Sequence, residues 1–548
     1  MSAEITKKEV SVLTMRPVRY SHPRAVCFRV LVLSFFAFAV ICQSVLAQQN
    51  RSLPSAEKVV DNYLKAIGGK KQASAIRDAT YEWTIERRDQ AVGVARTQNK
   101  APASQRAEMA LDNGKMISAA NPRSAWVQGL GGELRTLTGP DAAAAKLQAV
   151  LNAAHLVDYK KANVLARVVS LDDSASGSTY VVEFSSRGGA RLRYCFSTKT
   201  KLLVSIRDDA RQTVTWFEDY RPEGNILEPH ILRIDQGGTG DLTFKLQRVS
   251  YNSGVASTVF DPPGSAEALD VSTVLREVSR NQDAVEKRFT EYSFLQKETE
   301  REIDGQGVVK KETVKVFEVF PIAHRRPILK LISENGVPLS GDRAAKEDKR
   351  VEEEFLKAER DKDKDTQRQE KLRAERQRKR AANNRQQDEN DDVEISQFFR
   401  NCEFVSPRHE RFQDRDTIVF DFRAKPGFKP STRQESLISK LVGVVWIDPV
   451  DKQVIRLEAR LAEGFKMGGG LLVSLRPGAA LVMEQTRMNE GIWLPRFVQI
   501  NLSVKVLLFG GGDMNKTIEW SNYKHFSADV DSYKLGLPKT EETPAKKP

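Results

Sequence analysis

Along much of this chain apolar and polar residues alternate one for one, a period of two that fits β-strands and not helices. The longest run covers residues 498–508, where Ile500, Leu502, Val504 and Val506 share the face expected to point inward, and Gln499, Asn501, Ser503 and Lys505 take the other. The same pattern sets Tyr81, Trp83 and Ile85 against Glu82, Thr84 and Glu86, and Leu242, Phe244 and Leu246 against Thr243, Lys245 and Gln247. It recurs at Tyr180, Val182 and Phe184, at Leu192, Tyr194 and Phe196, and at Ile418, Phe420 and Phe422. Such alternation belongs to antiparallel sheets with one face packed and one in water. Helical spacing is scarcer. Ser55 is a cap for a stripe of Val59, Val60, Tyr63, Leu64 and Ile67 that stops at Gly68-Gly69. An alanine-rich helix is expected over 141–155, and another over 271–289 with Val274, Leu275, Val278, Val285 and Phe289 inward. The predicted class is therefore mainly β with packing helices (α+β).

At 548 residues the chain exceeds what one hydrophobic core supports, so at least two domains are expected. Arg16, Arg19, Arg24 and Arg29 precede an apolar run over 30–42, followed by Ser44-Val45-Leu46-Ala47. Basic, apolar, then small residues is the order of a secretory signal peptide, with cleavage between Ala47 and Gln48. The alternative, an uncleaved anchor, needs about 20 apolar residues. Ile41 before Cys42 speaks against lipid attachment, and Met15 is a second candidate start. Six basic and two acidic side chains leave with residues 1–47, lowering the net charge from +13 to +9 and leaving Cys195 and Cys402, one in each half. Two lone cysteines make no disulfide framework. The expected layout is a signal peptide at 1–47, a first domain over 48–263 closed by Pro262-Pro263-Gly264, a second over 266–538, and a disordered tail at 539–548. Residues 341–394 interrupt the second domain with 16 basic and 17 acidic side chains and almost no apolar face. That stretch is expected to stay out of any core, as a solvated (coiled-coil-like) helix or a disordered insertion.

The halves carry one ordered series. A strand (180–184; 417–422) is followed by a hairpin (194–207; 445–458). A glycine-to-proline stretch comes next (Gly224 to Pro229; Gly491 to Pro495), then a closing aromatic strand (Tyr251-Asn252; Trp520 to Tyr523). One duplicated fold accounts for this. Both halves resemble the LolA/LppX-like superfamily of outer-membrane lipoprotein carrier and sorting proteins. The first half does so through Ala66-Ile67-Gly68-Gly69, the 194–207 hairpin, Asp219-Tyr220-Arg221, Pro229-His230 and Val259-Phe260-Asp261-Pro262-Pro263. The second does so through 445–457, Trp493-Leu494-Pro495-Arg496 and Asn522-Tyr523. The resemblance implies two curved antiparallel half-barrels, each with a helical lid over a hollow that takes acyl chains.

No catalytic signature is present. The six histidines stand singly, and there is no His-Glu-x-x-His, Cys-x-x-Cys or Gly-x-Ser-x-Gly. Gly468-Gly469-Gly470 and Gly510-Gly511-Gly512 lack the Gly-Lys-Ser/Thr of a phosphate loop and are expected to bend a curved sheet. The chain is thus expected to be no enzyme and to need no cofactor or metal. Candidate cavity-lining residues are Trp83, Trp126, Phe184, Phe196, Trp216, Trp446, Trp493 and Trp520, with ordinary core packing as the equal alternative. The basic loop Lys425-Pro426-Gly427-Phe428-Lys429-Pro430 is a candidate cavity mouth, though a solvated loop is the commoner outcome. The expected function is a periplasmic protein that binds lipid or the acyl chains of lipoproteins, with peripheral membrane contact through its basic excess. The alternative is a sensor or interaction module with an envelope protein partner. Nucleic acid is not expected, despite the basic run 371–385.

Overall fold

The computed structural model describes residues 53–525, apart from 154, 175–176, 187–188, 236–240, 265–270, 290, 305–307, 323–325, 362–370, 372–397, 399–400, 468–472, 489–490 and 507–509. The signal peptide, the glycines at 468–470, nearly all of the charged stretch beyond residue 361 and the tail lie outside the described residues.

Two antiparallel sheets of 13 strands each make the body. The first half opens with helices α1 (Ala56–Ala66) and α2 (Lys70–Ala75). A meander from β1 (Asp78–Arg87) to β6 (Leu134–Thr136) leads into helix α3 (Gly139–Ala153). The chain then returns through β7 (Leu165–Ser174) to β13 (Leu242–Tyr251), which pairs with β1. The second half repeats the plan. Helix α4 (Val271–Phe289) precedes β14 (Tyr292–Ile303) to β17 (Val337–Pro338), helix α5 (Gly341–Arg360) follows, and β18 (Cys402–Phe412) leads on to β26 (Gly510–His525). There β26 pairs with β14, placing the last strand on the first as in the other half. A short helix, α6 (Arg433–Ile438), interrupts this second meander.

An open twisted sheet of more than about ten strands curls rather than staying flat, and bulges add bend where the register slips, as at Glu82/Trp83 and between Val405 and Arg408. On the first sheet α1 lays down its stripe: Val59, Val60, Tyr63, Leu64 and Ile67 are all buried, and the Ser55 hydroxyl accepts from Lys58 N at 3.3 Å. Burying each such large apolar side chain is worth about 2–3 kcal/mol. Beneath the helix Phe196 meets Tyr63 at 5.3 Å between ring centroids, and Phe184 meets Tyr194 at 5.0 Å and Tyr159 at 5.4 Å. Aromatic and aliphatic side chains pack together in this inner layer.

Two expectations need correction. The charged stretch does join a core: in α5, Val351 (0% exposed) and Phe355 (7%) pack on Phe320 and Ile328. Residues four apart share one helix face, so two apolar side chains suffice to dock it. On the strand expected over 498–508, within Trp493–Val506, two of the residues assigned to the water-facing side stand elsewhere. Gln499 and Asn501 border a cleft, and Asn501 is buried. Cys195 and Cys402 are free and buried, and burial pushes the Cys402 thiol up to about 12. Among the described residues no helix is long and apolar enough to cross a membrane.

Candidate functional site

The halves meet where two sheet edges abut, β6 ending the first sheet and β18 the second. An exposed edge presents unpaired backbone groups that must be met somehow, and here side chains meet them. Thr136 N donates to Glu410 Oε2 at 2.6 Å, and Thr136 Oγ1 donates to Glu410 Oε1 at 2.6 Å. Arg408 donates to Thr136 Oγ1 through Nε (3.1 Å) and Nη2 (2.7 Å), and to Glu410 Oε1 at 2.6 Å. Its Nη2 also lies 3.1 Å from Asp421 Oδ1, while Ser124 Oγ donates to Asp421 Oδ2 at 2.7 Å. Arg123 bridges Asp421 and Asp261. Arg408 is 1% exposed and Asp421 0%. Charges this buried need close pairing; here Asp421 Oδ1 has the ion pair to Arg408 but no hydrogen bond of its own, and the network ties the two edges together.

Helix α3 divides two clefts. Asp141, Ala145 and Gln148, spaced four and three apart, face a cleft of about 310 Å³ whose opposite wall includes Ala107, Ala119, Trp126 and Leu137, with Arg135 and Arg211 alongside. Alanines on both walls hold the space open, since neither side reaches across. The next stripe round the helix, Ala142, Ala143, Lys146, Leu147 and Val150, faces a second cleft of about 350 Å³ between the halves. Its far wall carries Arg456, Glu458 and Arg460 of the strand Gln453–Leu461, Leu481 and Val482, and Gln499 and Asn501. Burial pushes the Lys146 amine down to about 8, against the pull of Glu458 and Asp421 and with a further push from Arg460. Lys146 Nζ donates to the Arg123 carbonyl at 3.0 Å.

Of the aromatic residues singled out from the sequence, Trp126 borders the first cleft, with its Nε1 donating to Phe260 O at 3.0 Å. Trp83, Phe184 and Phe196 lie together in the core of the first half. Trp446 and Trp493 share a cluster in the second, where Arg456 sits over Trp446 at 5.9 Å and Arg415 over Trp493 at 5.4 Å. Trp216 is half-buried in the strand Thr213–Glu223, and Trp520 donates to Gln296 Oε1 at 2.9 Å on β26. The structure thus distributes these side chains among several places. The Lys425–Lys429 loop is exposed and does not border either cleft.

The sequence carries no catalytic signature, yet the fold builds a buried polar cluster around one carboxylate, Glu228. Glu228 Oε1 accepts from Tyr81 OH at 2.9 Å and Tyr251 OH at 2.8 Å, with His155 Nε2 at 3.4 Å. Burial works to raise the Glu228 carboxyl, but bonding to His155, Tyr251 and Tyr81 holds it below its ordinary value. The group ties the end of α3 to the sheet. Nothing local in the sequence marks it, because its members come from four separate segments. Among the described residues no group of three or more His, Cys, Asp or Glu side chains is set to hold a metal.

No protein-family model matches the chain, and no curated protein does. Solved structures do align. A DUF1329 family protein from Desulfovibrio piger covers 37% of this chain and 96% of its own at 12% identity and a TM-score of 0.27. A LolA superfamily protein from Nitrosomonas europaea covers 38% and 99% at 9% identity and a TM-score of 0.28. The MucA/MucB complex of Pseudomonas aeruginosa covers 84% and 94% at 6% identity and a TM-score of 0.17. Scores this low decide neither fold nor function, so the likeness to LolA-type proteins rests on the sequence motifs.

Proposed function

We propose that this chain is an exported envelope protein of the LolA/LppX-like kind, two duplicated half-barrels in tandem, that binds lipid or the acyl chains of lipoproteins without covalent chemistry. The observation that carries this reading is the first cleft, walled by Ala145 of α3 and by Ala107, Ala119 and Ala120 of the sheet with Trp126 beside them. The apolar part of its wall, Ala107, Ala119, Ala120, Trp126, Val127 and Leu137, suits an alkyl chain, with Arg135 and Arg211 among the polar groups beside it. The N-terminal leader supports export, and the +9 charge left after its removal supports contact with anionic membrane surfaces.

The test is native mass spectrometry of protein purified from envelope fractions, followed by organic extraction. Lipid or acylated peptide should copurify. Ala145→Phe, which fills the first cleft, should release it while leaving the circular dichroism spectrum unchanged. Folded protein that is empty, and stays empty when offered phospholipids and acylated peptides, would sink this reading and favour a protein-binding module.

A further inference from the structure

The second cleft differs in kind from the first, because it gathers cations from both halves. Arg123 is spoken for by Asp261 and Asp421, and Arg456 by Glu458 and Glu484. Lys146 and Arg460 are not matched in this way. Among the described residues Lys146 Nζ donates to a backbone carbonyl and makes no direct ion pair, although Glu458 and Asp421 act on its charge from further off, and Arg460 Nε is fully enclosed with no hydrogen-bond partner. A buried donor left unmade costs the desolvation of that group, and a cation costs more. The burial felt by both side chains lowers the affinity of each for its proton.

The start of α3 adds to the same potential. Gly139, Pro140, Ala142 and Ala143 border the cleft, so the helix presents its N-terminal, positive end there. Along the rest of the wall run Leu147, Val150, Leu481 and Val482, of which Leu481 is 36% exposed. An apolar strip leading to Arg460, whose Nε has no partner, and to Lys146, which makes no direct ion pair, is complementary to a molecule with an alkyl portion and one oxyanion.

We infer that the cleft between the halves is a binding site for an amphiphile headed by a single oxyanion, a carboxylate or a phosphate monoester, held by Arg460 of one half and Lys146 of the other. The headgroup accepts from the Arg460 guanidinium and Lys146 Nζ, and the chain covers Val150, Leu481 and Val482. The site is separate from the acyl-chain cleft proposed above and stands without it.

Titration calorimetry of the full-length protein tests this with dodecyl phosphate, dodecanoate, dodecanol and inorganic phosphate as probes. Both anionic amphiphiles should bind at least about tenfold more tightly than dodecanol, since a charge-assisted hydrogen bond is worth that much. Arg460→Gln and Lys146→Gln should each abolish that preference and leave dodecanol unaffected. Inorganic phosphate binding as tightly as dodecyl phosphate would reduce the site to one for free anions and overturn the amphiphile. Anionic probes that bind no better than dodecanol, or bind equally well to both variants, would overturn the site altogether. The melting temperature gives a second readout. Without ligand, Arg460→Gln should melt at or above the parent temperature, because an unmatched buried donor has gone; a clear fall would make Arg460 a structural residue and contradict the assignment.

Discussion

Lys146 illustrates how one side chain senses both halves. It sits on α3 of the first half, yet the charges that act on it are Glu458 and Arg460 of the second-half strand Gln453–Leu461 and Asp421 of the strand Arg415–Ala424. Its amine titrates at about 8 in the folded chain, against roughly 10.4 for an unfolded lysine. Between those values the unfolded state holds more protons, so stability rises with pH there. Below about pH 8 the folded state carries the full penalty of a buried ammonium. Lys146→Met should therefore be more stable than the parent below pH 8, with the difference shrinking as pH climbs toward 10. Urea melts of both proteins at stepped pH measure this; a difference that grows with pH would contradict it.

At the scale of elements, α5 shows what composition conceals. Averaged over 341–394, charge swamps everything, but Val351 and Phe355 fall on one side of the helix and close a small core with Phe320 and Ile328. The same helix shields the edge of the neighbouring strand: Leu331 N donates to Glu347 at 2.7 Å, and Arg350 donates to the Leu329 carbonyl. Phe355→Ala should cost about 3 kcal/mol or more, read as a lower urea midpoint, and the uncovered strand should promote aggregation. Where structure is local the sequence was legible. The period of 3.6 placed α4 over Val271–Phe289 and the Val59-to-Ile67 stripe of α1, and the period of two placed β1. Contacts between distant segments were not legible. Thr136 and Glu410 are 274 residues apart, and neither stands out in its own surroundings. Gln499 and Asn501 look solvent-facing by alternation, because alternation says which residues share a face but not what that face meets.

For the whole molecule the decisive feature is the seam of Arg408, Glu410, Asp421 and Thr136. Breaking a buried ion pair from one side typically costs about 3–5 kcal/mol, since the abandoned charge stays buried. Arg408→Met leaves two carboxylates facing each other without their cation. The parent chain should unfold in one calorimetric transition, the halves being locked together. In Arg408→Met the halves should part first, giving two transitions or a mismatch between calorimetric and van't Hoff enthalpies. A single transition at the parent temperature would mean that the seam contributes little.

One helix, α3, is the partition between both clefts: Ala145 looks into one and Lys146, its neighbour in the chain, into the other. Any influence that an occupant of one chamber has on the other through this common wall is reciprocal. Whatever factor an occupant of one chamber imposes on the affinity of the other must be returned in full, because the free energy around the cycle sums to zero. An alkyl chain behind the helix and an anion before it would then be read by the protein as a pair, with fifteen residues of helix as the medium between them.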